Sequence, residues 1–222
     1  MEKSIWANGY EFILVEAESL SLEDDFMKFE PQTDREKATK ELISEAIHNG
    51  VKNFYRPKCD PSFDEQEKIC YQAGLEPAVN MTYGWWKTNA KKFCPDHISR
   101  LGTRLEYFAF LGVLVKKLVE EGKSVRWAWN AVCNDSHELG HYWNSEDALY
   151  DLEPTGSREI CGYFDLVNTI KFLADDKEDS VFWLAGGSYV DNSSKHPIAD
   201  FNCNFDYSFG AGWAVGWSVC EK

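Results

Sequence analysis

The clearest periodicity runs through the middle of the chain. After Thr103, apolar side chains recur at Leu105, Phe108, Leu111, Val115, Leu118 and Val119, spacings that gather them on one side of an α-helix. Thr103 and Glu106 fit a capping box at its start, and Gly122 supplies a stop. Ser124 is then placed to cap a shorter helix through Val132. An earlier helix is predicted over 34–48: Ala38, Leu42, Ile43, Ala46 and Ile47 share a face, Asp34 can cap it, and Asn49-Gly50 ends it. Thr82 can cap a third, running roughly from Tyr83 to Phe93.

Elsewhere the pattern is shorter. Residues 10–16 alternate as a β-strand, 24–31 read as an acidic loop, and 51–76 read as loop with a short hairpin, given their prolines, cysteines and charges. From about Tyr142 helix signals end, apart from the stretch Asp165 to Ala174. The remainder is Gly, Asn, Ser and aromatics in short runs. Gly186-Gly187 permits close approach between strands, and Val215 to Val219 alternates like a final strand. No repeat or low-complexity linker divides the chain. The expectation is an α+β fold with much irregular structure, in a single domain over residues 1–222.

Composition narrows the function. With 222 residues, nine Trp and 15% aromatics, the chain can bury a real core and is not expected to be disordered. Lys plus Arg number 23 against 37 Asp plus Glu, a net charge of −14. That balance argues against direct nucleic-acid binding, which needs clustered cations. It leaves open an acidic protein that mimics phosphate and blocks a nucleic-acid-binding machine, as a phage inhibitor of its host would. No apolar run reaches the length of a membrane span, and Met1 to Trp6 lacks the apolar core of a signal peptide. Seven cysteines, an odd number without a C-x-x-C pair, read as mostly reduced thiols. A soluble protein made in the cytoplasm is expected, with a virion among its possible destinations.

One motif points to metal chemistry. His137-Glu138-Leu139-Gly140-His141 satisfies H-E-x-x-H, in which two His on one helix face share a Zn²⁺ and the Glu serves as general base. Here the motif follows the turn formers Asn134-Asp135-Ser136, carries Gly140, and lacks an identifiable third ligand. A turn with one surface His is the plainer reading, and a zinc-dependent hydrolase using His137, Glu138 and His141 stays as the enzyme alternative. Glu153-Pro154-Thr155 and Trp143-Asn144-Ser145 are incomplete versions of the Ca²⁺-holding triplets of sugar-binding C-type lectins, in reversed order, so calcium-dependent sugar binding is not assigned.

Four segments, in order from Pro77 to Val219, carry a family resemblance. Pro77-Ala78-Val79-Asn80-Met81-Thr82-Tyr83, Ser99 to Tyr107, Cys161 to Thr169, and the closing pair Ala185-Gly186-Gly187-Ser188-Tyr189 and Val215-Gly216-Trp217-Ser218-Val219 follow one family's conserved run. Together they resemble the formylglycine-generating-enzyme-like (sulfatase-modifying factor) group. Gly102 stands where that group has Pro, and the Gly before Asn168 is missing. The resemblance implies a C-type-lectin-type fold, with helices packed beside small twisted antiparallel sheets. The group's oxidases place a copper-binding cysteine pair just after G-G-S. Residues 189–196 contain no Cys and Cys203 comes later alone, so no catalytic residue and no cofactor is assigned. Cys203 and Cys220 could meet in space, or be two separate buried thiols.

A second branch of this fold, the variable proteins of diversity-generating retroelements in phages and bacteria, diversifies the same closing segment at adenines to vary a ligand-binding surface. Residues 189–209 read YVDNSSKHPIADFNCNFDYSF, and every one except Lys195 is reachable from an Asn codon by adenine change. The composition also suits a paratope, with rigid aromatics beside adaptable Ser, Asn and Asp, although an ordinary loop-rich β region looks much the same. The resemblance implies a non-catalytic protein that binds a protein or cell-surface ligand through segment 189–208. Its contact residues would be Tyr189, Asp191, Asn192, Ser193, Ser194, His196, Asp200, Asn202, Asn204, Phe205, Tyr207 and Ser208, with Trp183 and Trp213 as aromatic support. The fixed scaffold would be 1–188 and 211–220.

Overall fold

The computed structural model of the chain describes residues 3–92, 97–133, 159–164, 166, 171–175, 182–186, 198–199, 201–204 and 214–221. Within them the elements run β1 (Ser4–Ala7), β2 (Tyr10–Val15), α1 (Asp34–His48), β3 (Phe54–Pro57), β4 (Ser62–Phe63), β5 (Ile69–Cys70), α2 (Tyr83–Asn89), β6 (Ile98–Leu101), α3 (Arg104–Glu120) and α4 (Val125–Cys133). The second half adds β7 (Glu159–Ile160), β8 (Tyr163–Phe164), β9 (Lys171–Asp175), β10 (Phe182–Ala185), β11 (Phe201–Asn204), β12 (Ala214–Gly216) and β13 (Ser218–Glu221). A five-stranded antiparallel sheet has the order β1-β2-β3-β13-β6, and a four-stranded sheet has the order β11-β10-β9-β12. Only the β12–β9 pair in the second sheet is parallel among the described strands. The architecture is mixed helix and sheet, with small sheets, as expected. No helix among the described residues is long and apolar enough to cross a membrane.

Helix α3 is the axis of the core. Its Thr103 side chain accepts from Glu106 N, and the Glu106 carboxylate accepts from Thr103 N at 2.7 Å, the expected capping box. Its apolar face is wider than the spacing predicted: Tyr107 to Val115 is buried without interruption, whereas Leu105 and Val119 are only partly buried. A helix buried on all sides is one with sheet and helix packed around it. Gly112 marks the crossing with α1, since a Cβ there would stand 3.1 Å from both Ile43 Cγ2 and Leu20 Cδ1. Arg100 adds a second lock: its guanidinium binds both Glu106 oxygens at 2.6 and 2.8 Å and reaches Glu221, tying β6, α3 and β13. Thr103→Ala is expected to cost about 1 kcal/mol, read as a lower urea midpoint with an unchanged slope. A change in slope instead would mean that the helix start is not simply capped.

Helix α1 spans 34–48 as predicted, but Thr33 rather than Asp34 caps it, again with a box completed by Glu36. Its buried residues are Glu36, Thr39, Ile43 and Ala46, so the inner face is turned from the predicted one and includes a carboxylate. Glu36 is affordable there because Gln32 N, Thr33 N and Arg126 Nη1 all donate to it. The predicted acidic loop at 24–31 is a 3-10 turn over Asp25–Lys28, with Phe26, Met27 and Phe29 buried. Phe29 stacks on Trp129, whose indole N–H donates to Phe26 O at 2.9 Å. Aromatic burial there outweighs the local charge. Helix α2 ends at Asn89 and a 3-10 turn continues over Ala90–Lys92, short of the predicted Phe93.

Three strand readings change. Residues 51–76 contain the expected short hairpin, β4 with β5, but also β3, which lies inside the five-stranded sheet between β2 and β13. The predicted helix near 165–174 is replaced at its described end by strand β9, which pairs with β10 and β12 and buries Phe172, Leu173 and Ala174. The closing strand is two strands. β12 joins one sheet and β13 the other, with Trp217 between them.

Candidate functional site

The closing segment is described only in part. Tyr189, Asp191, Asn192, Ser193, Ser194, His196, Asp200, Phe205, Tyr207 and Ser208 lie outside the described residues, as do Trp213 and the His137-Glu138-x-x-His141 motif. What is described is a pair of attachments. Ile198 and Ala199 are each 1% exposed. The Tyr107 hydroxyl donates to the Ile198 carbonyl, and Ala199 N donates to Val132 O at 3.1 Å, fastening this point to α3 and the end of α4. Three residues on, β11 pairs antiparallel with β10. The register sets Asn204 opposite Phe182, Cys203 opposite Trp183 and Asn202 opposite Leu184. Phe182 and Leu184 are buried and Trp183 is half-buried, with Arg104 lying 4.9 Å over its ring. So Trp183 lies on the strand that pairs with the described part of the segment. Cys203 and Cys220 stand on different sheets.

The frame behind the segment converges on Trp217. Its backbone N–H donates to Leu173 O at 2.9 Å and its carbonyl accepts from Gly102 N at 2.6 Å, so one residue hydrogen-bonds toward both sheets. Gly102 O in turn accepts from Asp175 N at 2.7 Å. A Cβ on Gly102 would stand 2.2 Å from Trp217 Cδ1, which explains why this position is glycine. The ring of Trp217 forms one wall of a box with Phe110, Tyr163 and Phe172. The occupant is the guanidinium of Arg56, 2% exposed, at 4.9–5.4 Å from the four ring centroids. Arg56 Nη2 donates to Asp60 Oδ1 at 3.0 Å, and Asp60 is 1% exposed. No local pattern marks this pair, because its walls come from α3, β8, β9 and the β12–β13 junction. Nothing in it faces solvent, so it acts on stability and shape.

A second polar cluster ties α2 to the end of β9. Tyr83 donates its hydroxyl to Asp175 Oδ1, and Lys87 Nζ lies 3.3 Å from both groups. Tyr83 is fully buried and stacks on Phe182, so this cluster also supports the β9–β10 platform. Of the described thiols, burial pushes Cys133 and Cys161 up to about 12, which keeps both protonated at neutral pH and poor as nucleophiles or metal ligands. Among the described residues no three His, Cys, Asp or Glu side chains gather closely enough to hold a metal ion.

No protein-family model matches the sequence, and no curated protein matches it. Among solved structures the chain is similar to CarF, with a TM-score of 0.56 and 11% identity, over 77% of this chain and 86% of that one. It also aligns with PvdO from Pseudomonas aeruginosa, with a TM-score of 0.41 and 14% identity, over 82% of this chain and 76% of that one. The likeness to CarF shows a related fold, an α+β arrangement with small sheets.

Proposed function

We propose that the chain is a non-catalytic ligand-binding protein of the C-type-lectin-type, formylglycine-generating-enzyme-like fold, and that segment 189–208 binds a protein or cell-surface ligand as a diversified region does. The observation that carries this reading is the double attachment of the segment. Ile198-Ala199 is sunk into the α3–α4 core, and β11 is registered on β10. A scaffold that must tolerate changing side chains needs fixed backbone anchors of this kind. The family resemblance and the fold shared with CarF support the scaffold. The paratope-like composition supports the ligand class.

The test separates anchor from contact. Joint substitution of Asp191, Asn192, Ser194, His196, Asn202, Asn204 and Tyr207 is expected to keep cooperative unfolding while abolishing capture of the ligand. Ile198→Ala, in contrast, is expected to cost roughly 2–5 kcal/mol. Loss of cooperative unfolding in the joint variant would make the segment core and end the proposal. The diversification itself is checked in the genome: a near-identical template repeat with mismatches at adenines, together with a reverse transcriptase gene. If both are missing, the retroelement part fails and the fold stands.

A further inference from the structure

Two hairpin tips and one side of α2 enclose a cleft of ≈ 550 Å³ that shares no residue with segment 189–208. The volume falls in the roughly 300–1,000 Å³ range of small-molecule sites. One wall is the half-buried indole of Trp85. It stands edge-on to the fully buried Trp86, ring centroids 5.2 Å apart and planes at 90°, so its orientation is fixed from behind. The opposite rims are the β1–β2 turn at Asn8-Gly9 and the β4–β5 tip. Asn8 (φ 51°) and Glu67 (φ 57°) at these two rims both hold left-handed backbone.

The polar groups around the indole are pre-set. Asp64 Oδ1 accepts from Gln66 N and Lys68 N at 2.8 and 2.9 Å, which fixes the carboxylate at the hairpin tip. Asn89 Nδ2 donates to Trp85 O and its Oδ1 accepts from Lys92 Nζ at 2.9 Å, leaving that ammonium with further N–H groups to give. Tyr10 adds a hydroxyl. Burial, then the neighbouring Cys70 and Asp64, raise its pKa, so it remains a neutral donor and acceptor. Two carboxylates, Asp64 and Glu67, and two ammoniums, Lys68 and Lys92, line the cleft, so it favours neither sign of net charge. A rigid apolar ring face bordered by mixed donors and acceptors, with no net charge, matches a ligand with an apolar C–H face and a rim of hydroxyls.

We infer that this cleft binds a neutral saccharide, stacking a pyranose ring on Trp85 and holding its hydroxyls with Asp64, Asn89 and Lys92. The site is independent of the closing segment, and its failure leaves the proposed function untouched. The experiment titrates the full ¹⁵N-labelled chain with methyl hexopyranosides and their neutral disaccharides, following the Trp85 indole N–H. A saturable shift is expected with at least one member. Trp85→Ala should weaken that ligand by at least about tenfold, and Lys92→Ala, at an exposed position, by about threefold. Trp6→Ala, which removes a 70% exposed indole on β1, should leave affinity unchanged. Unfolding midpoints equal to the parent's confirm that these variants fold. If Trp85→Ala does not fold, Lys92→Ala and retention of binding by Trp85→Phe decide the matter. No saturable shift with any saccharide, affinity indifferent to both substitutions, or a preference for the zwitterion glycine betaine overturns the assignment.

Discussion

Arg56→Ala is expected to destabilise the protein by about 3–5 kcal/mol, the cost of leaving one member of a buried ion pair without its partner. Both side chains are almost fully enclosed, at 2% and 1% exposure, and the guanidinium is surrounded by Phe110, Tyr163, Phe172 and Trp217. A flat, weakly hydrated cation is suited to such a box, because its faces can lie against rings while its edge donates to Asp60. Arg56→Lys should therefore recover little: a compact ammonium keeps the charge but loses the planar contacts. The informative variant is the double one. Replacing Arg56 by Met and Asp60 by Leu together removes both buried charges, and should be less damaging than the sum of the two single changes by about 0.5–3 kcal/mol. Urea denaturation of the four proteins measures this coupling. Additive losses would mean that the pair is not energetically linked.

Trp217→Ala should be of similar size, about 3–5 kcal/mol, since a fully buried indole is lost from contact with Tyr107, Phe110 and Phe172. Gly102 provides the internal control. Gly102→Ala alone forces a Cβ against the indole, a clash costing about 1–3 kcal/mol. With Trp217→Ala already present, the atoms it would strike at 2.2 and 2.3 Å are gone and only Val219 Cγ1, at 2.7 Å, remains close. The second substitution should then be markedly cheaper than in the parent. Equal cost in both backgrounds, read from thermal and urea midpoints, would show that glycine is required there for another reason.

Helices α1, α3 and α4 were legible in the sequence to within a residue or two because their signals are local. Thr103 with Glu106, Ser124, Thr82, and Asn49-Gly50 act on backbone groups close by, and the structure uses each of them. Local signals of the same kind stand at Thr33, next to the expected cap Asp34, and at Asn8-Gly9, a hairpin dipeptide that joins β1 to β2. Strands failed where their reason is remote. Phe54-Tyr55-Arg56-Pro57 looks like loop because it holds a cation and a proline. It is a strand because β2 and β13 pair with it and four distant rings receive the arginine. Strand β9 lies in a stretch that reads as helix, and only pairing with β10 and β12 settles its form. For the closing segment, sequence named most of its contact residues at positions outside the described ones, and missed that Ile198 and Ala199 are anchors. The cleft beside Trp85 was invisible for a simpler reason: Asn8, Asp64 and Trp85 come together only when two hairpins and a helix are assembled.

The break at Trp217 also bears on the order in which the molecule can be made. β13 fills the gap between β3 and β6, and β12 borders β9, so residues 214–221 complete both sheets at once. A nascent chain emerging from the ribosome holds β3 and β6 for a long interval before the strand that belongs between them exists. Pairing of Cys220 with Tyr55 closes the longest loop among the described strand pairings. Such contacts are slow to form and leave strand edges open until they do. The five-stranded sheet therefore cannot close before residues 218–221 are made, and the waiting β3 and β6 edges are where misassociation during biosynthesis has its opening.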